Sequence, residues 1–459
     1  MFNEKMLCAL GRGLEDSGKL DEDGMKLTIA ALRRFVGLAR LMEVREIVAV
    51  ATAAVRDASN GAAFVAEAER ECNLPIQVIS GNEEALLSAQ GVLSGIPEAD
   101  GVMGDLGGGS LELVALNKGA TGDSVTLPLG PLRLAGIRDN DLLRDHVDNH
   151  LDKVKWLGKA KGRSLYLVGG AWRGIARIHM AHTNYPLRII HHYRISASEA
   201  DDITRLLSRQ SKDSLARIAG VSRRRLDGIP AAALVLRRLV RAADPKSVIF
   251  SAHGLREGLC HAALSDHGKR EDPLLTACRD IAQQVGRFGN QGEALFAITS
   301  PLFEGETPAR RRLRLAACYL SDTAWRMHPD HRGEHVLSRV LNEPFTGIDH
   351  PERAALALAL YVRYTGEVAS DDTVVVRQLA GDAGREWAAV LGLALRLAQT
   401  FSGGTKAPLE ALRLRTGGAS LVLEVGEAAL PLMGDVVNRR LEALAKALGR
   451  QYEVKTRRR

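Results

Sequence analysis

The sequence predicts a multidomain protein of the α/β class. Its 459 residues are too many for a single hydrophobic core, so we expect about two to four domains. Over roughly the first 265 residues, short apolar runs alternate with stretches of helical periodicity, which is typical of α/β domains. Residues 272–399 have helical periodicity throughout, and the Ser-Gly-Gly-Thr segment at 402–405 marks a break before a shorter mixed segment. We therefore expect α/β domains, then an all-α domain, then a small α/β unit.

The individual elements follow from local patterns. Residues 25–42 place apolar side chains at helical spacing, after Asp21 and Asp23 as candidate caps. Near the end of the chain, two alternating segments flank Gly417 and Gly418 and predict a hairpin, followed by a helix. Further helices are predicted at residues 60–72, 83–92, from about 172, and 436–448. Strands are predicted at residues 46–52, which we expect to be buried, and at 76–80, 101–105, 110–116, 164–168, 247–250, 412–415 and 420–425.

Composition and charge indicate which binding partners and which cellular compartment we expect for this protein. The formal net charge of +7 favours anionic partners, whereas an aromatic content of 4% argues against base stacking as the main mode of binding. We interpret the basic runs at 223–225 and 310–312 as solvated helix faces, and the one at 455–459 as a frayed terminus. Five cysteines without a CxxC pair, no signal-peptide pattern and no long apolar run predict a soluble, cytoplasmic protein that does not span a membrane.

The stretch GDLGGGSLELVAL, residues 104–116, places three successive glycines between two apolar runs. Asp105 precedes them and Glu112 follows them. Glycine lets backbone N–H groups approach an anion closely, and a carboxylate at a strand end can hold Mg²⁺ directly or through water. The stretch therefore predicts a loop for phosphate and metal. The alternative is a hairpin turn that binds no ligand.

Two further stretches leave the ends of predicted strands, where open α/β sheets bind ligands. In ATAAVRDASN (51–60), Arg56 suits phosphate recognition, whereas Asn60 is equally a candidate helix cap. In SGNEEA (80–85), Glu83 and Glu84 open a helix, where paired acids often only favour the helix dipole.

Taken together, six stretches resemble one family, the exopolyphosphatase and guanosine pentaphosphate phosphatases of the Ppx/GppA type. They occur in the family's order within residues 1–265: ATAAVRDASN (51–60), ISGNEEALLSAQGVLSG (79–95), GDLGGGSLEL (104–113), LPLGPLRL (127–134), YLVGG (166–170) and SAHGLREGL (251–259). The resemblance implies an actin-like ATPase fold, which is a ribonuclease H-like double domain with its active site between the halves. It also implies a hydrolase that cuts phosphoanhydride bonds.

The resemblance assigns a role to each matching residue. Glu84 would be the general base on the attacking water. Residues 251–257 also match the family, but we assign them a structural role, with Gly254 in a turn and Arg256 paired with Glu257. The residues implied to bind phosphate are Arg56, Asn60, Gly107, Gly108, Gly109 and Ser110, and those implied at Mg²⁺ are Asp105 and Glu112.

The activity that the resemblance implies is Mg²⁺-dependent removal of the terminal phosphate from inorganic polyphosphate. The resemblance also implies a homodimer. Guanosine pentaphosphate, cut at its 5′ terminal phosphate, is the alternative substrate. The chain departs from the family at its start, where the first strand-turn-strand phosphate loop is not present, so we expect an N-terminally truncated first half. A catalytically impaired polyphosphate- or nucleotide-binding regulator is therefore a further alternative. A sugar kinase-like transferase has weaker support, because only Gly169 and Gly170 could serve as an adenosine-binding glycine pair.

We expect four domains: a first actin-like domain at residues 1–96, a second at 97–268, a helical HD-like domain at 269–400 and a small α/β unit at 401–459. In the HD-like domain, Ser321 replaces the histidine of a His-Asp metal pair and precedes Asp322. We interpret the histidines at 328, 331 and 335 as surface or packing residues rather than as a metal site. Arg363 and its tyrosine neighbours suit either a basic channel or helix packing.

Overall fold

The computed structural model describes residues 4–137, 139–210 and 228–457. The chain divides into two compact units, Met1–Ser265 and Asp266–Arg459. The basic run predicted at 223–225 lies outside the described residues. Within the described ranges, no helix is long and apolar enough to cross a membrane.

The first unit begins with helices around a small parallel sheet. Strand β1 (Ala49–Ala51) pairs with β2 (Ile76–Val78). The predicted buried strand is therefore present, but it is only half-buried, because among the described residues β1 pairs with β2 alone and Val48 is exposed. The helices of this part are α1 (Leu14–Ser17), α2 (Glu22–Leu41), α3 (Ala53–Asp57), α4 (Gly61–Cys72) and α5 (Gly81–Gly95).

Local caps explain where two of these helices begin. The Asp21 side chain accepts a hydrogen bond from the Gly24 N–H at 2.7 Å and starts α2, as predicted. Ser80 starts α5 through a capping box with Glu83.

A six-stranded mixed sheet forms the main body of the first unit. Its strands are β3 (Gly101–Leu106), β4 (Leu111–Asn117), β5 (Ala120–Leu127), β6 (Ser164–Val168), β7 (Tyr193–Ser196) and β8 (Ser247–Phe250). Their order in the sheet is β5-β4-β3-β6-β8-β7. Strands β3, β4 and β5 form an antiparallel meander, β3, β6 and β8 are parallel, and β7 is antiparallel at the far edge. The sequence did not predict β5 or β7.

Helices cover both faces of this sheet, which is why β3 and β4 are buried along almost their whole length. On one face, Ala89 and Val92 of α5 pack with Met103. On the other face, Trp172 packs with Val102 and with side chains of neighbouring helices. The helices after the meander are α6 (Pro131–Leu134), α7 (Asn140–Leu151), α8 (Gly170–His182), α9 (Ala197–Leu207), α10 (Ile229–Ala243) and α11 (Leu255–Ala262), with a 3₁₀ turn at Leu157–Ala160.

Helix α5 packs against α11 and against the loop that precedes α11. At two points of this contact the backbones are so close that only glycine fits. A Cβ atom on Gly91 would lie 2.1 Å from the carbonyl oxygen of Gly254, and one on Gly258 would lie 1.8 Å from that of Leu87. These distances are far below ordinary contact, so the two backbones can approach this closely only at glycines. The contact fixes α5 relative to the six-stranded sheet.

The second unit is helical up to a small terminal sheet, as predicted. Its helices are α12 (Asp266–Arg270), α13 (Pro273–Val285), α14 (Gly292–Thr299), α15 (Pro308–Leu320), α16 (Arg332–Asn342), α17 (His350–Thr365), α18 (Val374–Ser402), α19 (Lys406–Glu410) and α20 (Asp435–Ala447). Its 3₁₀ turns are Ser300–Leu302, Pro329–His331, Asp371–Thr373 and Glu427–Leu432.

The terminal sheet consists of β9 (Leu412–Gly417), β10 (Ser420–Gly426) and β11 (Gln451–Arg457), with β10 in the middle. The predicted hairpin is confirmed as β9 (Leu412–Gly417) and β10 (Ser420–Gly426). The prediction of a frayed terminus is wrong for residues 455–457, which lie in β11 (Gln451–Arg457), parallel to β10. The basic side chains obscured the alternation of Tyr452, Val454 and Thr456 with charged residues, which is the pattern of a strand.

Candidate active site

The glycine turn joins β3 to β4 and brings two carboxylates to the same face of the sheet. Asp105 lies directly opposite Glu112 in the antiparallel register. The turn closes when the Gly107 N–H donates to the Ser110 carbonyl oxygen at 3.0 Å. This pairing explains why an acid precedes the glycines and another follows them: both acids project from one end of one hairpin.

The segment before α6 supports the turn from outside. The Leu132 N–H donates to the Gly108 carbonyl oxygen at 2.9 Å. A Cβ atom on Gly130 would lie 2.3 Å from that same oxygen, so this segment passes against the backbone of the turn. The LPLGPLRL stretch therefore packs directly on the glycine turn.

The two adjacent glutamates that open α5 have separate roles in the structure. Glu83 completes the capping box, because its carboxylate accepts from the Ser80 N–H at 2.8 Å while the Ser80 hydroxyl oxygen accepts from the Glu83 N–H at 3.2 Å. Glu84 points the other way, and only 13% of its side chain is exposed. The interpretation that these acids only favour the start of a helix therefore applies to Glu83. Glu84 takes no part in the capping box and is available for a role in the site.

Arg56, on α3, holds Glu84. Its guanidinium lies 3.3 Å from a Glu84 carboxylate oxygen and donates to the Ile79 carbonyl oxygen at 2.9 Å. The same guanidinium lies 3.4 Å from Asp57, which is also 3.2 Å from Arg133 of α6. One carboxylate thus links two arginines, one on α3 and one on α6.

Glu84, Asp105 and Glu112 form what we call the carboxylate trio. Burial raises the pKa of Glu84, and hydrogen bonds from Arg56 and Thr52 oppose this effect. Burial also raises the pKa of Asp105. The pKa of Glu112 is raised to about 8 by burial and then by the neighbouring charges of Glu84 and Asp105. Asp105 and Glu112 are paired across the hairpin. The charge of Asp105 also raises the pKa of Glu84, and the charge of Glu84 raises that of Glu112, which indicates that the three carboxyl groups are neighbours.

Ser88 positions Asp105. Its hydroxyl donates to an Asp105 carboxylate oxygen at 2.7 Å; Ser88 is fully buried and Asp105 is partly buried. Ser88 lies four residues after Glu84, so it projects from the same face of α5. Sequence reasoning gave Ser88 no role, although this spacing was a signal that could have revealed it. Arg133 was also missed, because the stretch LPLGPLRL was used to identify the family and none of its residues was given a role.

The loops after β6 and β8 approach the site from the other side. Arg173 donates to the Gly169 carbonyl oxygen at 3.1 Å and to the Ala252 carbonyl oxygen at 3.1 Å, and so joins these loops. Its positive charge also opposes the rise in the pKa of Asp105. The expected pair of Arg256 with Glu257 is confirmed at 3.5 Å.

The donor set fits a hard cation such as Mg²⁺. One carboxylate oxygen of Glu112, which is 1% exposed, has no hydrogen-bond partner among the described residues. A buried oxygen of this kind favours a bound cation or water. No three acidic, His or Cys residues in the described ranges are grouped to hold a metal by themselves. Mg²⁺ commonly takes one or two carboxylates and completes its shell with water and phosphate oxygens, so a smaller protein set is sufficient.

Of the other predicted site residues, Asn60 has a partner elsewhere in the first unit and Ser110 contacts the trio. The Asn60 side chain accepts a hydrogen bond from the Leu20 N–H at 2.8 Å and makes no capping bond. Its contact with phosphate stays a prediction. Ser110 is buried beside Glu112, and its hydroxyl opposes the rise in the pKa of that residue.

In the second unit, the residues predicted near a degenerate metal pair have structural partners. Ser321 accepts from the Gln399 amide at 3.1 Å, and Asp322 pairs with Arg287 at 3.2 Å and with Arg363 at 3.4 Å. The side chains of the histidines at 328 and 331 are each 69% exposed, so these two are surface residues. The HD-like character of this domain stays a prediction.

Two family models together match most of the chain. The model of the Ppx/GppA phosphatase family matches residues 1–267, and the model described as exopolyphosphatase, C-terminal, matches residues 278–454. The first match alone covers more than half of the chain.

Curated relatives are identical to this chain at about a quarter of the aligned positions. Retrograde regulation protein 2 of Saccharomyces cerevisiae is 25% identical over 397 residues, which are 78% of this chain and 66% of the yeast protein. Exopolyphosphatase 1 of Mycobacterium bovis is 27% identical over 272 residues, covering 56% of this chain and 79% of that protein. Exopolyphosphatase 1 of Mycobacterium leprae is 26% identical over 301 residues, covering 62% of this chain and 88% of that protein.

Solved structures share the fold. A crystal structure of an exopolyphosphatase from Cytophaga hutchinsonii matches 57% of this chain and 88% of its own with a TM-score of 0.53 at 22% identity. An exopolyphosphatase-like protein matches 58% of this chain and 90% of its own with a TM-score of 0.51 at 25% identity. The mixed α/β architecture of the chain therefore resembles that of exopolyphosphatase structures.

Proposed function

Because the chain belongs to the Ppx/GppA phosphatase family, we propose that it is an exopolyphosphatase, a Mg²⁺-dependent hydrolase that removes the terminal phosphate of inorganic polyphosphate. The observation that carries this proposal is the carboxylate trio beside a glycine turn, with Arg56 bound to one of its members. The names of the Mycobacterium relatives support the same substrate.

In this proposal Glu84 is the general base. A water held by its carboxylate attacks the terminal phosphorus, and the water proton passes to a Glu84 oxygen as the bond from phosphorus to the bridging oxygen breaks. Burial raises the pKa of Glu84, which strengthens it as a base. Arg56, 3.3 Å away, fixes the orientation of the carboxylate. Phosphoryl transfer needs mainly such positioning and the neutralisation of charge.

The turn and its flanking cations would bind the phosphate chain. Backbone N–H groups of Gly107, Gly108, Gly109 and Ser110 would bind the terminal phosphate, with Arg56 and Asn60 as further contacts. Arg133 lies in the segment that packs on the turn, so in this proposal it would contact the next phosphate along the chain.

Asp105 and Glu112 would hold Mg²⁺, which when bound would neutralise charge on the phosphate oxygens. Ser88 fixes the orientation of Asp105 through its 2.7 Å hydrogen bond. The Glu112 oxygen that has no hydrogen-bond partner in the described part of the chain would serve as an oxygen ligand once the carboxyl group has lost its proton.

The test is phosphate release from long-chain polyphosphate with Mg²⁺, by the chain, by Glu84→Gln and by Glu83→Gln. We expect Glu84→Gln to lower kcat by about 10²-fold or more, because the base is lost. Glu83→Gln is the matched control, since glutamine preserves a capping box. Equal loss in both variants, or full activity of Glu84→Gln, would exclude Glu84 as the base.

A polyphosphate- or nucleotide-binding regulator is the second candidate. Retrograde regulation protein 2 of Saccharomyces cerevisiae, which matches 78% of this chain, has a name that describes regulation rather than hydrolysis. This candidate predicts saturable binding of polyphosphate without release of phosphate, which the same assay combined with a binding titration would reveal.

Guanosine pentaphosphate is the alternative substrate, as the family name includes both activities. Competition distinguishes the two. If guanosine pentaphosphate is hydrolysed with the higher kcat/KM and inhibits polyphosphate hydrolysis, then it is the preferred substrate.

A further inference from the structure

Asp57 contacts both of the arginines that the proposed function assigns to the phosphate chain. Its Oδ1 atom lies 3.4 Å from Nε of Arg56, and its Oδ2 atom lies 3.2 Å from Nη2 of Arg133. Within the described ranges, these two guanidinium groups are the only charged or hydrogen-bonding partners of the Asp57 carboxylate. One acid therefore occupies a donor on each of the two arginines.

Local structure does not explain an acid at position 57. Asp57 is the last residue of α3, and an acid is unfavourable at the C-terminal end of a helix, where the helix dipole is negative. Its side chain is 38% exposed. Ion pairs that are this open to solvent contribute little to stability. The two arginines therefore explain the acid better than the fold does.

Of the two carboxylates that contact Arg56, that of Asp57 is the one that a ligand can replace. Nη1 of Arg56 contacts Glu84 at 3.3 Å and the Ile79 carbonyl oxygen at 2.9 Å, and only 13% of the Glu84 side chain is exposed. Nε contacts Asp57, which is the more exposed of the two acids. Phosphate oxygens bind a guanidinium group much as a carboxylate does. A phosphate that replaces Asp57 therefore leaves the contact between Arg56 and Glu84 in place.

We propose that Asp57 is an internal competitor for the phosphate chain, a role that rests on the proposed function. Before a chain binds, the Asp57 carboxylate occupies Arg56 and Arg133. A chain that extends past the glycine turn takes its place on both arginines. Asp57 thus weakens chain binding, which suits an enzyme whose substrate must advance by one phosphate after each cleavage.

This role fixes the direction in which the affinity changes when the charge of Asp57 is removed. Chain binding should become tighter, because the arginines no longer exchange one anionic partner for another. A residue that only positions the arginines would have the opposite effect, since loss of the bridge would loosen both side chains and weaken binding. The sign of the change in Kd therefore separates the two roles.

The test measures the binding of tripolyphosphate by titration calorimetry at a fixed concentration of Mg²⁺. Every protein carries Glu84→Gln, so that the ligand is not hydrolysed. We expect Asp57→Asn to lower the Kd by about tenfold. Asp145→Asn is the matched control and should leave the Kd unchanged, because it removes the same charge from an exposed ion pair with Arg144 on α7. Since the expected effect is a gain in affinity, misfolding of the variant cannot produce it.

A second measurement shows whether Asp57 acts through Arg133. Asp57→Asn is repeated together with Arg133→Gln, and the gain in affinity should be clearly smaller there, because one of the two contacts is already absent. A Kd that is unchanged or raised in Asp57→Asn overturns the proposal. A gain of the same size in the Arg133→Gln background overturns it as well, because the effect would then be that of a general change in charge.

Phosphate release by the chain with Glu84 intact separates this proposal from the proposed function. Tighter binding in Asp57→Asn, without any release by the unmodified chain, supports the competitor and refutes the hydrolase. Release by the unmodified chain, without tighter binding in Asp57→Asn, refutes the competitor alone. A chain that binds no tripolyphosphate refutes both.

Discussion

The raised pKa of Glu112 makes a quantitative prediction about Mg²⁺ binding. With a pKa of about 8, about 0.9 of the Glu112 side chains carry a proton at pH 7 and about 0.1 at pH 9. A carboxylate must lose its proton to bind a metal. Binding of Mg²⁺ should therefore release about 0.9 proton per ion from Glu112 at pH 7 and about 0.1 at pH 9.

The assay is titration calorimetry in buffers of different ionisation enthalpy, because the released protons react with the buffer and add its heat. Below pH 8, the affinity for Mg²⁺ should fall by about tenfold for each pH unit. Glu112→Gln should remove most of the released protons, and Glu83→Gln should not change them. Heats at pH 7 that are the same in every buffer would show that Glu112 is not a titrating ligand and would refute the reasoning.

The same pKa has a consequence for the metal-free protein. A carboxyl group whose pKa is higher in the folded state stabilises the fold below its unfolded pKa, and this contribution is lost as the pH rises through about 8. The full loss for Glu112 is on the order of 5 kcal/mol. Thermal unfolding of the metal-free first unit should therefore weaken between pH 5 and pH 9, and Glu112→Gln should flatten this dependence.

Three further substitutions test parts of the site and its support. Ser88→Ala should lower activity and weaken Mg²⁺ binding, because it removes the hydrogen bond to Asp105; unchanged calorimetric affinity would contradict this role. Arg133→Gln should raise KM for polyphosphate more than it lowers kcat, which steady-state kinetics would show; a loss confined to kcat would contradict a role in chain binding. Gly91→Ala should destabilise the fold by about 3 kcal/mol in thermal unfolding, because the new methyl would meet a backbone carbonyl oxygen at 2.1 Å. The matched change Gly37→Ala adds its methyl in open space and should leave stability equal or higher.

Much of the fold was predictable because the signals are local. The strands at 164–168 and 247–250 appear as predicted, and so does the terminal hairpin. The missed strand β5 (Ala120–Leu127) is exposed over its first four residues and lacks an apolar pattern there, so its place depends on pairing with β4. Strand β11 was missed because its basic composition suggested a disordered end.

The residue types of the site could be predicted from the sequence. Fewer of the hydrogen bonds and ion pairs between those residues could be predicted. The pairing of Asp105 with Glu112 follows from a hairpin, and their positions around the glycines indicated it. The link from Arg56 to Arg133 through Asp57 joins residues far apart in sequence and required the tertiary structure. The local spacing that singles out Ser88 has meaning only once Asp105 is known to face α5.

The glycine contacts of α5 determine which parts of the site are free to move. A helix that touches its neighbour through backbone atoms has no side chains between them whose rotation could absorb sliding, so α5 moves with the six-stranded sheet as one body. Glu84 therefore keeps its place relative to the hairpin that carries Asp105 and Glu112. Arg56 contacts this rigid group from α3, through the Glu84 carboxylate at 3.3 Å and the Ile79 carbonyl oxygen at 2.9 Å.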